Sequence, residues 1–425
     1  MKEMLEMDGK LWGFLLVGLL VGGLIGYGIT PKRVSQEKYN GLENQLKTLQ
    51  DKLGQYQSQL SDLQKKVKNY EGQISDLQKQ LTDYKNQRSQ LEGKVYTVNI
   101  AYKEGIGYYL VDKDGRALYY FAKDVPNSGE SACYGDCAQK WPVFYEEELN
   151  LPPGLNKDDF SVITREDGKK QLAYKGWPLY YFFKDEKAGD TNGEGVKGVW
   201  FVMKPDYTLM IAYKDGIGTY FVDPKGMALY YFAKDVNGTS VCYGDCAQKW
   251  PVFAPEEVSA PSTLNQSDFG YITREGGTKQ LAYKGWPLYY FFKDEKAGDT
   301  NGEDVKHVWY VMRDYDVMIA YQPSVGTYLV DEGGMTLYYF AKDSANKSVC
   351  YGDCAQKWPI FYRENPVAPS VIANDFGEIT RGDGSKQTTF RGYPLYYFFK
   401  DTKRGDINGQ GVKNVWFVVD PFNFP

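Results

Sequence analysis

The decapeptide Cys-Tyr-Gly-Asp-Cys-Ala-Gln-Lys-Trp-Pro occurs three times without change, beginning at Cys133, Cys242 and Cys350. Spacings of 109 and 108 residues mean that three copies of one folding unit fill most of the 425-residue chain, and they take up all six cysteines. Such a chain must bury its apolar surface within and between like units, here residues 95–204, 205–313 and 314–425. The 37 Tyr, 22 Phe and 9 Trp suit strands, where aromatic side chains pack well on a pleated surface. The expected fold class is mainly β: three tandem β-rich modules, each of two hairpin half-repeats, on an N-terminal transmembrane helix and an α-helical coiled-coil stalk.

Composition removes several function classes. The net charge of −5 comes from mixed charges without a basic stripe, which excludes nucleic acid as a partner. His307 is the only histidine, and the other units carry Gly198 and Asn414 in its place. That pattern speaks against a repeated histidine metal site, a c-type haem attachment or a Ser-His-Asp triad. No catalytic residue, metal or cofactor is expected, and the chain is read as non-enzymatic.

Leu11 to Ile29 is an uncharged run of 19 residues, close to the ~20 needed to cross a hydrocarbon core as a helix. It is read as a single membrane anchor behind a short cytoplasmic tail, residues 1–10. Lys2 and Lys10 face Lys32, Arg33 and Lys38 across this run, a count that slightly favours the reverse orientation. The short N-terminal segment cannot hold the repeats, and paired cysteines suit an oxidising exterior, so the modules are placed outside the cell membrane. Residues 34–93 form the expected stalk. From Tyr39 to Leu91 apolar residues recur at intervals of three and four, broken only at Arg88, over more than seven heptads. Gln dominates the positions flanking this seam, so the expected partner is another copy of the chain.

Each unit holds two related halves. The first runs through Tyr-Leu-Val-Asp, a Gly-containing turn (Lys113 to Arg116 in the first unit) and Leu-Tyr-Tyr-Phe-Ala-Lys-Asp; the second contains Gly-Trp-Pro-Leu-Tyr-Tyr-Phe-Phe-Lys-Asp, with Tyr393 replacing Trp in the third unit. Both halves read as β-hairpins. Alternate side chains of Leu118-Tyr119-Tyr120-Phe121 face opposite sides of a sheet, so these rings are core or an exposed platform for stacking sugars. Core packing is favoured; Trp177, Trp286 and Tyr393 are the candidate platforms.

The spacing Tyr-x-Phe-x-x-Asp appears six times: Tyr119/Phe121/Asp124, Tyr180/Phe182/Asp185, Tyr230/Phe232/Asp235, Tyr289/Phe291/Asp294, Tyr338/Phe340/Asp343 and Tyr396/Phe398/Asp401. With Cys-x-Gly-x-Cys-Ala-x-x-Trp-Pro and Gly-Asp-Thr-Asn-Gly, residues from about 95 to 420 resemble the bacterial and archaeal secreted-repeat family, described as lipoproteins with a Tyr-x-aromatic-x-x-Asp motif. The resemblance implies export to the cell surface and tandem repeats, with no established activity. This chain departs from the lipoprotein pattern, since no cysteine precedes Cys133 to carry a lipid.

For Cys133/Cys137, Cys242/Cys246 and Cys350/Cys354 the favoured reading is a short-range disulfide, whose stabilisation falls at the low end of ~2–4 kcal/mol because the closed loop is small. A redox or metal site is the alternative, but it would need further soft or imidazole ligands, and neither His nor Met recurs beside the pairs. Free thiols are the third reading. Asp190, Asn192 and Glu194 alternate as in a calcium loop, but no later Glu completes one, and Asx-turns account for them better. Asn237, Asn265 and Asn346 lie in glycosylation acceptor patterns. The favoured function is a membrane-anchored, stalked cell-surface protein acting in envelope structure, adhesion or ligand binding, with glycan as a candidate partner. The alternative is extracytoplasmic redox, electron-transfer or metal-handling work through the cysteine pairs and Tyr/Trp clusters.

Overall fold

The structure, a computed structural model, describes residues 36–91 and 95–424. The expected membrane span lies outside the described residues; among those described, no helix is long and apolar enough to cross a membrane. The chain divides into two compact units, at Lys94/Val95.

The first unit is built on one helix, Gln36–Leu91, of 56 residues. Its apolar seam is exposed along the described length. Leu42, Leu49, Tyr56, Leu63, Tyr70, Leu77 and Tyr84 are each more than half exposed. The seam pattern sets the helix, but a coiled coil would require a second strand.

The second unit is mainly β. Its first 110 residues contain β1 (Val98–Lys103), β2 (Gly107–Asp112), β3 (Tyr119–Phe121), β4 (Phe160–Thr164), β5 (Lys170–Tyr174), β6 (Trp177–Pro178) and β7 (Trp200–Val202). β1 and β2 form an antiparallel hairpin, and β4, β5 and β6 a three-stranded antiparallel sheet. β3 pairs with β7, so Tyr119 lies opposite Val202 and Phe121 opposite Trp200. The same order recurs over residues 210–311 and 317–418, and every strand pairing stays within one of these three segments.

The hairpin expected for each half is present only in part. Leu118 N–H still donates to Leu110 O across the Lys113 to Arg116 turn, where Asp112 Oδ1 accepts from the Asp114 and Arg116 amides. Beyond Leu118 the aromatic run leaves its own half. Tyr119 and Tyr180 exchange backbone hydrogen bonds of 2.8 and 2.9 Å, and residues 142–144 pair with 179–181. Four short segments, two from each half, therefore form the centre of the module, with the two tyrosines side by side.

One hydrophobic core runs through all three modules. At each joint the next module's first strand docks on β3 or its equivalent: Tyr213 N–H donates to Ala122 O at 2.7 Å, and Ile211 N–H to Tyr120 Oη at 3.2 Å. Ile319 N–H repeats the second contact on Tyr231. In the third module Phe424 takes the place of the neighbour, packing edge-on against Tyr339 and Tyr393.

Candidate functional site

The Tyr-x-Phe-x-x-Asp motif is satisfied by exchange between the two halves of each module. Tyr119 Oη donates to Asp185 at 2.6 Å, while Tyr180 Oη donates to Asp124 at 2.7 Å. The second module repeats this with Tyr230 on Asp294 and Tyr289 on Asp235; in the third, Tyr338 donates to Asp401 and Tyr396 to Asp343. The other carboxylate oxygen accepts a backbone N–H, from Ala132 for Asp124 and from Asn192 for Asp185. Burial disfavours the charged form and pushes Asp124 and Asp235 up to about 7, although tyrosine and backbone donors act the other way. Burial likewise raises Asp294, Asp343 and Asp401. These acids are enclosed and hydrogen-bonded, and each clasps one half of a module to the other.

Beside the clasps lies a column of four rings. Phe121 stacks on Trp200 at 4.0 Å, Trp200 on Trp141 at 3.8 Å, and Trp141 packs on Phe182 at 4.3 Å. Each half contributes one Trp and one Phe, so the column crosses the same boundary as the hydroxyl–carboxylate pairs. It recurs around the Trp250/Trp309 and Trp358/Trp416 stacks, at 3.7 and 3.8 Å. Gly193 of the Asp-Thr-Asn-Gly segment explains its own presence: a Cβ there would lie 2.8 Å from both Trp141 and Tyr119.

The three cysteine pairs are disulfides: Cys133–Cys137, Cys242–Cys246 and Cys350–Cys354. No described cysteine is free. Gly135, at φ 55 and ψ −126, provides the turn between the first pair in a conformation that side chains disfavour. A buried arginine locks each loop from below. Arg165 donates to Ser131 Oγ and Gln171 Oε1, each at 2.6 Å, and to Cys133 O. Arg274 and Arg381 hold the other two loops in the same way.

The aromatic platforms expected at Trp177 and Trp286 are corrected by their burial. Both are fully enclosed, and their indole N–H groups donate to the following module, to Pro224 O at 3.0 Å and Glu332 O at 3.1 Å. Arg404 covers the ring of Trp286. The reason is the tandem arrangement itself: this ring position lies at the joint, where the next module covers it. Tyr393, at the third equivalent position, is half-buried against Phe424.

The Gly-Asp-Thr-Asn-Gly donors do not converge. Asp190 Oδ2 accepts the Glu186 and Lys187 amides, Asn192 Nδ2 donates to Lys184 O, and Glu194 accepts from Val202 N–H and Ser262 Oγ. Among the described residues no group of three or more His, Cys, Asp or Glu is placed to hold a metal. Asn237, Asn265 and Asn346 are exposed, while the solitary His307 is exposed and bonded to Asp304 at 2.9 Å.

Sequence reasoning missed the lysines around each ring column. Lys123, Lys140, Lys184 and Lys197 line an open groove over the first column, and Lys342, Lys357, Lys400 and Lys413 line one over the third. The second module carries Lys234, Lys249, Lys293 and Lys306 at the same sequence positions. All twelve are exposed, and none makes an ion pair with a described residue. The signal was present in every unit, as Lys-Asp after the aromatic run, Gln-Lys-Trp-Pro, and Val-Lys before the last Trp.

Fold and site together define a tandem array of disulfide-stapled β modules whose motif aspartates are paired within each module. The chain belongs to the family described as a secreted repeat of unknown function, whose model matches residues 102–145, 161–204, 212–254, 270–313, 320–361 and 377–420. The matched unit is thus the half-module, and two consecutive repeats make one folded module. No curated protein and no solved structure matches the chain.

Proposed function

We propose that this is a non-enzymatic cell-surface protein, anchored in the membrane by residues 11–29, raised on a self-associating helical stalk, and acting in envelope structure, adhesion or ligand binding. The observation that carries this reading is the use of the buried chemistry for construction: all six motif aspartates are tied to tyrosines of the opposite half. What each module has left to offer is a rigid surface in triplicate. Three modules multiplied by the strands of the stalk give avidity without new contacts.

The test is co-sedimentation of the purified full-length chain with isolated cell envelopes and their glycan fractions, with light scattering to read its mass. Oligomers that sediment with the envelope support the proposal; a monomer that binds no envelope component contradicts it.

The stacked Trp141/Trp200 pair favours a second reading, electron transfer or metal handling outside the cytoplasm. Set against it, the first cysteine of each disulfide is fully enclosed. Visible absorption, metal content and free-thiol count of the purified chain distinguish the two. About three equivalents of metal or chromophore per chain, one per module, would favour the redox reading.

A further inference from the structure

The grooves over the first and third ring columns have volumes of about 590 and 670 Å³ and stand open to solvent. Both lie within the ~300–1,000 Å³ typical of ligand sites. Each is lined by four lysines against a single carboxylate, Asp136 in the first and Asp353 in the third. That local balance opposes the overall charge of −5. Four unpaired ammonium groups around one groove repel each other, so an anion seated between them gains from all four at once. Phe183 and Phe399 add an apolar wall, each about half exposed, with Lys184 and Lys400 beside them at 5.6 and 5.7 Å from the ring centroid.

From this we infer that the lysine-rimmed grooves are the ligand-binding sites of the modules and that they take a polyanionic glycan, a polymer bearing phosphate or carboxylate at regular intervals. The inference rests on the binding reading above and names the ligand class. An open groove suits a chain passing through better than a small molecule that must be enclosed. Three like lysine sets on one tandem unit suit a polymer that repeats its own charge. Exposed phenylalanine beside the lysines suits a sugar ring, whose C–H face packs on aromatic carbon. Lys123 and Lys234 are partly engaged with the next module, over the Tyr213 and Tyr321 rings at 4.1 and 4.6 Å, so the other three lysines of each set carry most of the contact.

The experiment measures binding of the full-length chain in detergent to immobilised phosphomannan, polygalacturonate, polyglutamate, a single-stranded oligonucleotide and neutral dextran. The expected result is binding to one or both charged glycans, weakened by salt, with the stronger of the two showing whether phosphate or carboxylate is read. Replacing Lys140, Lys184, Lys197 and their six equivalents by Gln should weaken that binding by about tenfold or more, and replacing them by Arg should retain it. The melting temperature of both variants should match the parent, because these side chains are exposed. Unchanged binding by the Gln variant overturns the inference, as does equal binding to polyglutamate or the oligonucleotide. Binding to dextran with none to the charged glycans overturns the groove assignment but leaves glycan binding standing; binding to no glycan at all removes both.

Discussion

The long helix and the repeat unit are made from similar residues that meet opposite fates. Leu49 and Tyr56 of the helix are 63% and 65% exposed, whereas Leu118 and Tyr119 of the first module are fully buried. The helix has its hydrogen bonds within itself and its apolar stripe exposed, so its order comes from local pattern. In the modules the local pattern is weak, with strands of two to six residues, and order comes from contacts between segments far apart in sequence. What can be read from neighbours along the chain therefore differs from what needs the fold.

The largest expected effect lies in the ring column. Trp141→Ala removes the centre of a four-ring stack and should lower stability by about 3–5 kcal/mol, read by thermal unfolding of the full chain. Such a loss would confirm that each module depends on its own column, and an unchanged melting profile would break the comparison. Gly193→Ala should also destabilise, by about 1–3 kcal/mol, because its Cβ meets Trp141 and Tyr119.

The clasps give a pH signature of intermediate size. Asp124 and Asp235 are raised to about 7 in the fold, so the folded state holds their protons more tightly than the unfolded chain. Their contribution is fully present below the unfolded carboxylate range near ~4 and is lost as pH rises through about 7. The melting temperature should therefore fall between about pH 4 and about pH 7, and the double replacement Asp124→Asn with Asp235→Asn should flatten that fall. An equal slope in parent and variant would show that these carboxylates are not the titrating groups.

The smallest effect on the modules belongs to the helix. Leu49→Asp with Leu63→Asp should leave the melting of the repeat unit unchanged while abolishing self-association, read as a drop in mass by light scattering. A lowered module melting temperature would show that the two units depend on each other.

Legibility in the sequence followed the same division. The three-and-four spacing from Tyr39 to Leu91 marked the helix because a helix repeats its environment every turn or so. The three cysteine pairs were legible because partners four residues apart leave little geometric choice. Tyr119 and Asp124 stood out as one motif, yet they bond to Asp185 and Tyr180; nothing in the spacing reveals that two adjacent copies trade partners. Trp177 was a candidate platform only as a matched aromatic position of the repeat, and it takes the fold to bring Pro224 O of the next module to its indole nitrogen. The groove lysines were hidden by their ordinariness, since exposed Lys beside aromatic runs is common in any surface.

The exchange of tyrosine and aspartate between halves is the central claim, and a double-mutant cycle on the full-length chain tests it directly. Tyr180→Phe is combined in one cycle with Asp124→Ala and in another with Asp185→Ala, with unfolding followed by tryptophan fluorescence. The account predicts a coupling of about 1 kcal/mol or more between Tyr180 and Asp124 and near-additivity between Tyr180 and Asp185. Strong coupling of Tyr180 to Asp185, the aspartate of its own repeat, with none to Asp124 would contradict it.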